Sequence, residues 1–323
     1  MKKILIALVA VIALYFLGPH PDAPTLPGPS WNNIPNEPQA IHAFLQANEA
    51  KNGNLKPDNE GQIIFADSAN PQKTKTVVLY IHGFSASPME GNPLHKSIAK
   101  SLHANLVLAR IEDHGEFPTD STMAKASADK FYQSVENYYA LAKKLGDEVI
   151  VLGTSFGGAM SLVLATKHPE IKALMLYGPC IAIKDPTAPL VDNPWGLQLA
   201  RKVMRSDFRD IPSVSSGHKN YWSLHYRLEG VVAIQNFLTH EMTDETFKQV
   251  KVPVYMGYYY QDETHQDNVV SVQAMRDMFP KLGSKIKQEQ AFPLSGYHVI
   301  TSDILGKRVD LPIQASLEFI KKL

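Results

Sequence analysis

Residues 153–157 read Gly-Thr-Ser-Phe-Gly, a serine flanked at two residues on either side by glycine. Before it runs a β-branched apolar stretch, Val149 to Leu152; after it, from Ala159, come good helix formers at roughly helical spacing. One reading is a tight strand-to-helix turn whose serine caps the helix. The other is a strained corner that exposes a nucleophile, with glycines at 153 and 157 because side chains there would collide. A serine hydroxyl is a weak nucleophile and needs a base. Of twelve histidines, His298 alone follows the strand-like stretch 285–292, in the loop Pro-Leu-Ser-Gly-Tyr-His. His265 lies in a polar loop, and His218, His225 and His240 lie between 181 and 250 at spacings that match no metal-ligand pattern. A base in turn needs a carboxylate to fix its tautomer, and Asp262, Glu263 and Asp267 all follow the strand-like stretch 252–260. Attack on a carbonyl also calls for donors to the oxyanion. The backbone N–H of Phe156, at the helix start, supplies one. The N–H of Phe84, in the His82-Gly83-Phe84 loop after residues 76–81, is the choice for the other, with His82 as scaffold rather than base.

These residues need a frame that delivers them to one place. Strand-like stretches at 61–67, 76–84, 105–111, 148–153, 171–178, 252–260 and 285–292 alternate with helical ones near 40–48, 124–145, 157–168, 269–279 and 311–322. Strands that are apolar throughout and separated by helices predict an α/β fold, a mostly parallel sheet covered on both faces. The alternation breaks between Ile181 and about Val250, where four prolines and several helix-like pieces stand. An insertion of that size predicts a helical cap over the carboxyl edge of the sheet, where open α/β sheets bind ligands.

Together, "LYIHGFSAS", "RIEDHGE", "GTSFGG", "QDNVVS" and "GYHV" resemble the α/β-hydrolase superfamily, in its esterase/lipase branch with monoacylglycerol-lipase-like enzymes. The resemblance spans about residues 76–320 and keeps the superfamily's order of Ser, Asp, His. It implies an α/β-hydrolase fold with Ser155 as nucleophile and His298 as base. It also implies Asp267 as the orienting acid, because in the superfamily the acid is followed by an x-Val-Val stretch, as Asn268-Val269-Val270 follows here. The expected activity is hydrolysis of carboxylic esters, lipid-like ones included, through an acyl-enzyme and without metal or organic cofactor. A thioesterase, amidase or small peptidase would use the same groups, and a non-catalytic binding protein could share the fold.

Composition narrows the setting. Lysine plus arginine equals aspartate plus glutamate, 32 each, and no basic stripe with interleaved aromatics exists, which argues against a nucleic-acid partner. The single cysteine, Cys180, excludes an internal disulfide. Lys2-Lys3 followed by the uncharged apolar run 4–17 reads as an export signal. Small residues at a cleavage position are wanting, so residues 1–18 are expected to stay as a membrane anchor, with the catalytic domain outside the cytoplasm. Prolines at 19, 21, 24, 27, 29, 35 and 38 predict an extended linker over 19–38 and a folded domain over 39–323.

Overall fold

Five apolar runs that lack any polar face become the central strands of one sheet, because helices cover them on both sides. The computed structural model describes residues 2–323. In chain order its elements begin with α1 (Lys2–Phe16), α2 (Pro38–Glu49), β1 (Gln62–Ile64), β2 (Thr74–Ile81) and α3 (Leu94–Ser101). Then come β3 (Asn105–Ala109), α4 (Ala128–Leu145), β4 (Gly146–Thr154), α5 (Phe156–Lys167) and β5 (Ala173–Tyr177). The insertion holds α6 (Gly196–Met204), β6 (Phe208–Asp210), α7 (Ser216–Tyr221), β7 (His225–Arg227), α8 (Glu229–Glu241) and α9 (Asp244–Gln249). The chain returns to the sheet with β8 (Val254–Tyr258), α10 (Val272–Met278), β9 (Lys287–Ala291) and α11 (Asp310–Ile320).

The sheet has the order β1-β3-β2-β4-β5-β8-β9, with β1 antiparallel to β3 and all other pairs parallel. Alternate residues of each strand face opposite layers. In β2, Val77, Leu79 and Ile81 join the core beneath α4 and α5, whereas Val78 and Tyr80 join the core beneath α3 and α11. From β2 the chain first adds β3 on one side and then β4 on the other. The order thus reverses at β2 and β4, whose carboxyl ends are paired Ile81 to Gly153. Open sheets carry their sites at such a reversal. The sequence reading missed α3, a helix of only eight residues behind Pro93, and the β6-β7 ribbon.

The insertion packs on the carboxyl edge of the sheet. Ser223 N–H donates to Ser85 O at 2.6 Å, Tyr226 stacks edge-on against Phe84 at 5.2 Å, and Phe237 of α8 stacks on Phe156 at 5.3 Å.

The proline-rich stretch differs from a free spacer. Asp129 accepts from the N–H groups of Thr25 and Leu26 at 2.7 and 2.8 Å, and Asn137 accepts from those of Ser30 and Trp31 at 2.6 and 3.0 Å. Leu26 is buried, and Trp31 lies against Tyr138 at 4.9 Å. An extended chain leaves its N–H groups unpaired, and two side chains of α4 answer them. At the N-terminus α1 has 15 residues, about 22 Å of rise against a hydrocarbon layer of about 30 Å. Among the described residues no helix is long and apolar enough to cross a membrane.

Candidate active site

β4 ends in a corner with no loop. Ser155 takes φ 53° and ψ −120°, a left-handed backbone that a residue with a Cβ adopts only under constraint, and α5 begins at the next residue. Its N–H donates to Tyr177 O at 2.9 Å and its carbonyl accepts from Cys180 N–H at 2.9 Å, so the end of β5 holds the corner. The flanking glycines serve the packing around the serine. A Cβ at Gly157 would come 2.2 Å from Ile81 O, and one at Gly153 would come 2.5 Å from Ser161 Oγ. Gly157 therefore lets the first turn of α5 press against the end of β2.

Two backbone N–H groups flank this contact in sequence, Phe84 just after the end of β2 and Phe156 at the start of α5. Among the described residues neither Phe84 N–H nor Phe156 N–H donates to another protein group. The loop that carries Phe84 is held by His82, whose Nε2 accepts from Ile111 N–H at 3.1 Å and whose Nδ1–H donates to Gly83 O at 2.7 Å. Burial, with His114 and Arg110 nearby, holds the His82 imidazole well below its ordinary pKa, so the ring is neutral and serves as a brace.

His298 lies in the loop after β9, buried, with its ring against Gly178 at the end of β5. Its Nδ1–H donates to Asp267 Oδ2 at 2.5 Å. Asp267 is fully buried, and its Oδ1 accepts from the N–H groups of Val269 and Val270 at 2.9 and 3.0 Å. Burial alone would depress the imidazole pKa, but the Asp267 carboxylate outweighs it and, with a contribution from Glu90, holds His298 above its ordinary value. Its Nε2 is buried and unpartnered among the described residues. No hydrogen bond joins Ser155 to His298 among the described residues.

The other two acids go elsewhere. Asp262 is half exposed and caps its own loop, accepting from Thr264 and from His265 N–H. Glu263 accepts from Tyr260 Oη–H at 2.9 Å. Burial pushes the Cys180 thiol up to about 12, which leaves it inert as a nucleophile. The residue that the sequence reading passed over is Glu90. It is buried in the turn Pro88–Gly91, and its Oε2 accepts from Gly83 N–H at 2.7 Å. A lone acid between His82 and His95, in a stretch otherwise free of charge, was the available signal.

A buried imidazole–carboxylate pair and a strained serine corner at the reversal of a mostly parallel sheet define an α/β hydrolase. The family model described as serine aminopeptidase, S33, matches residues 72–304, and the chain belongs to that family. The thermostable monoacylglycerol lipase of Bacillus sp. (strain H-257) is 34% identical over 94 residues, which are 29% of this chain and 36% of the lipase. The match thus spans little more than a third of that relative. Among solved structures, one from the metagenome-derived lipolytic enzymes LipS and LipT superposes with a TM-score of 0.63 at 22% identity, over 83% of this chain and 100% of that one. A monoacylglycerol lipase of Paleococcus ferrophilus gives 0.59 at 15% identity, over 80% and 97%. At those identities the likeness is one of fold, the α/β-hydrolase fold.

Proposed function

We propose that this hydrolase cleaves carboxylic esters by nucleophilic catalysis at Ser155. The observation that carries the reading is His298: Nδ1–H is committed to a clamped Asp267, while Nε2 is left buried and unpartnered near the serine corner. Ser155 Oγ attacks the acyl carbon as its proton passes to His298 Nε2, and Asp267 stabilises the imidazolium that forms. The carbonyl oxygen becomes an oxyanion and takes hydrogen bonds from Phe84 and Phe156 N–H. The imidazolium returns its proton to the leaving alkoxide, the alcohol departs, and an acyl-Ser155 ester remains. Water then repeats the sequence with His298 as base, releasing the acid and restoring the serine.

Preference for esters is supported by the surroundings of the corner, where the part-exposed Phe84 stands among the buried apolar side chains Met123, Tyr226 and Phe237, and by the name of the Bacillus relative. An uncharged acyl chain suits such a surface better than a peptide does. Purified protein is expected to hydrolyse p-nitrophenyl esters with a preference that varies with acyl length, and Ser155→Ala to abolish the activity. Turnover of aminoacyl amides or acyl thioesters with none of the esters would overturn the ester assignment. The Lys2-Lys3 pair and the apolar run behind it support an exported enzyme held at a lipid surface through α1. Full-length protein should fractionate with membranes, and a variant lacking residues 1–18 should not.

A further inference from the structure

A carboxyl group is an odd choice for the position that Glu90 occupies. The side chain is 1% exposed. Its Oε2 accepts from Gly83 N–H at 2.7 Å and from the Tyr80 hydroxyl at 2.9 Å. A neutral amide would satisfy both donors without the cost of burying an acid. The second oxygen accounts for the difference. Oε1 has no hydrogen bond among the described residues and, like Ser155, packs against Gly83: a Cβ built there would stand 2.9 Å from Oε1 and 3.0 Å from Ser155 Cβ.

The Tyr80 hydroxyl continues the connection. It lies 3.0 Å from Thr154 Oγ1, which lies 3.4 Å from Thr301 Oγ1. One buried polar chain therefore touches the oxyanion loop, the residue before the nucleophile, and the loop that carries His298.

We infer that Glu90 is a positioning residue of this site: Oε2 pins the oxyanion loop through Gly83 N–H, and the charge of the carboxyl acts on the His298 imidazole together with Asp267. The inference rests on the serine-hydrolase reading above. Of the titratable groups around the carboxyl, Tyr80 of β2 donates to it at 2.9 Å, and His298, in the loop after β9 and paired with Asp267, exchanges charge interactions with it. His95 of α3 stacks on Tyr80 at 4.9 Å and is held neutral, its pKa depressed to about 3 by burial. Burial pushes Glu90 up to about 7, against the pull of its two hydrogen bonds and of His298. His298 is in turn held above its ordinary value, with Glu90 contributing beside Asp267. Ionised Glu90 favours the imidazolium and delays the appearance of the free base as pH rises.

The test is the second-order rate of Ser155 labelling by a fluorophosphonate, followed from pH 5 to 9. Glu90→Gln keeps an acceptor for Gly83 N–H and Tyr80 but carries no charge. Its acid limb is expected at lower pH, so that on the limb it labels several-fold faster, relative to its own plateau, than the parent. Glu90→Met removes the acceptor and frees the loop, and its plateau rate is expected to fall by at least about ten-fold, the scale of a weakened oxyanion donor. A parent labelled at Ser155 while Glu90→Gln shows the parental limb, or one at higher pH, overturns the electrostatic role. Parental labelling by Glu90→Met overturns the positioning role. Should Glu90→Met fail to fold, the Glu90→Gln profile still decides. A parent that never labels at Ser155 contradicts the serine-hydrolase reading instead.

Discussion

Asp262 and Asp267 are five positions apart, and what separates them is what holds each carboxylate. Asp262 stands half in solvent and serves its own turn, whereas Asp267 is clamped by two backbone N–H groups and buried against His298. Only a fixed carboxylate can keep an imidazole in one tautomer. Asp267→Asn is therefore expected to cost up to about 10⁴ in turnover with KM little changed, and Asp262→Asn to stay near the parental rate. Steady-state kinetics of the two variants checks this, and an active Asp267→Asn beside a dead Asp262→Asn would reverse the assignment. The base must be neutral to accept the serine proton, and His298 is held above its ordinary pKa. Activity should accordingly rise with pH through a value above that of an ordinary imidazole, with His298→Ala losing the limb along with most of the rate. Ser155 and His298 were legible in the sequence because a corner motif and chain order single them out. Spacing alone left three acids open, since the clamp from Val269 and Val270 N–H is a property of the folded loop. Glu90 was missed because its partners, Gly83 and Tyr80, meet it only once the turn at Pro88 folds back.

The elements succeed or fail on a few close approaches. β2 and β4 are neighbours in register, and α5 can follow β4 at once only because Gly157 admits the carbonyl of Ile81. Gly157→Ala is expected to destabilise the protein by about 1–3 kcal/mol or more, read as a lower urea midpoint. A parental midpoint with full activity would show that the corner has slack. The central strands were legible because burial on both faces makes them apolar without interruption. Their limits were less so: the stretch read as 76–84 ends at Ile81, where the chain leaves the sheet for the loop that carries Phe84. The proline-rich segment was read from composition as a spacer, and composition cannot reveal that Asp129 and Asn137, about a hundred residues on, accept its N–H groups. Deleting residues 1–18 should leave the melting temperature close to parental. Deleting 1–32 should lower it, since Leu26 and Trp31 lose their places against the domain.

At the scale of the whole molecule the formal charge is balanced, so the pH dependence of stability comes from buried groups rather than from net repulsion. Burial holds His82, His95 and His114 neutral, with His95 depressed to about 3 and His114 to about 4. Groups whose folded pKa is depressed contribute stability that is present above the unfolded value, 6.5, and lost as pH falls toward the folded one. Each ring removes up to about 1.4 kcal/mol per pH unit across that window. Glu90, raised to about 7, acts in the opposite direction between pH 4.5 and 7, joined by the partly buried Asp113 and Glu241. His218, also lowered by burial, acts with the three rings, whose shifts are the larger. Urea midpoints should therefore fall from pH 7 to pH 5, and a flat or rising midpoint would contradict the neutral-histidine frame. The central claim is that strand, corner, loop and cap converge to make Ser155 a nucleophile. Its most direct measurement is fluorophosphonate labelling of the purified protein with the modified residue mapped by mass spectrometry. The account predicts one adduct, on Ser155, abolished in Ser155→Ala and strongly slowed in His298→Ala. Equal labelling of Ser155→Ala, or an adduct elsewhere, would contradict it.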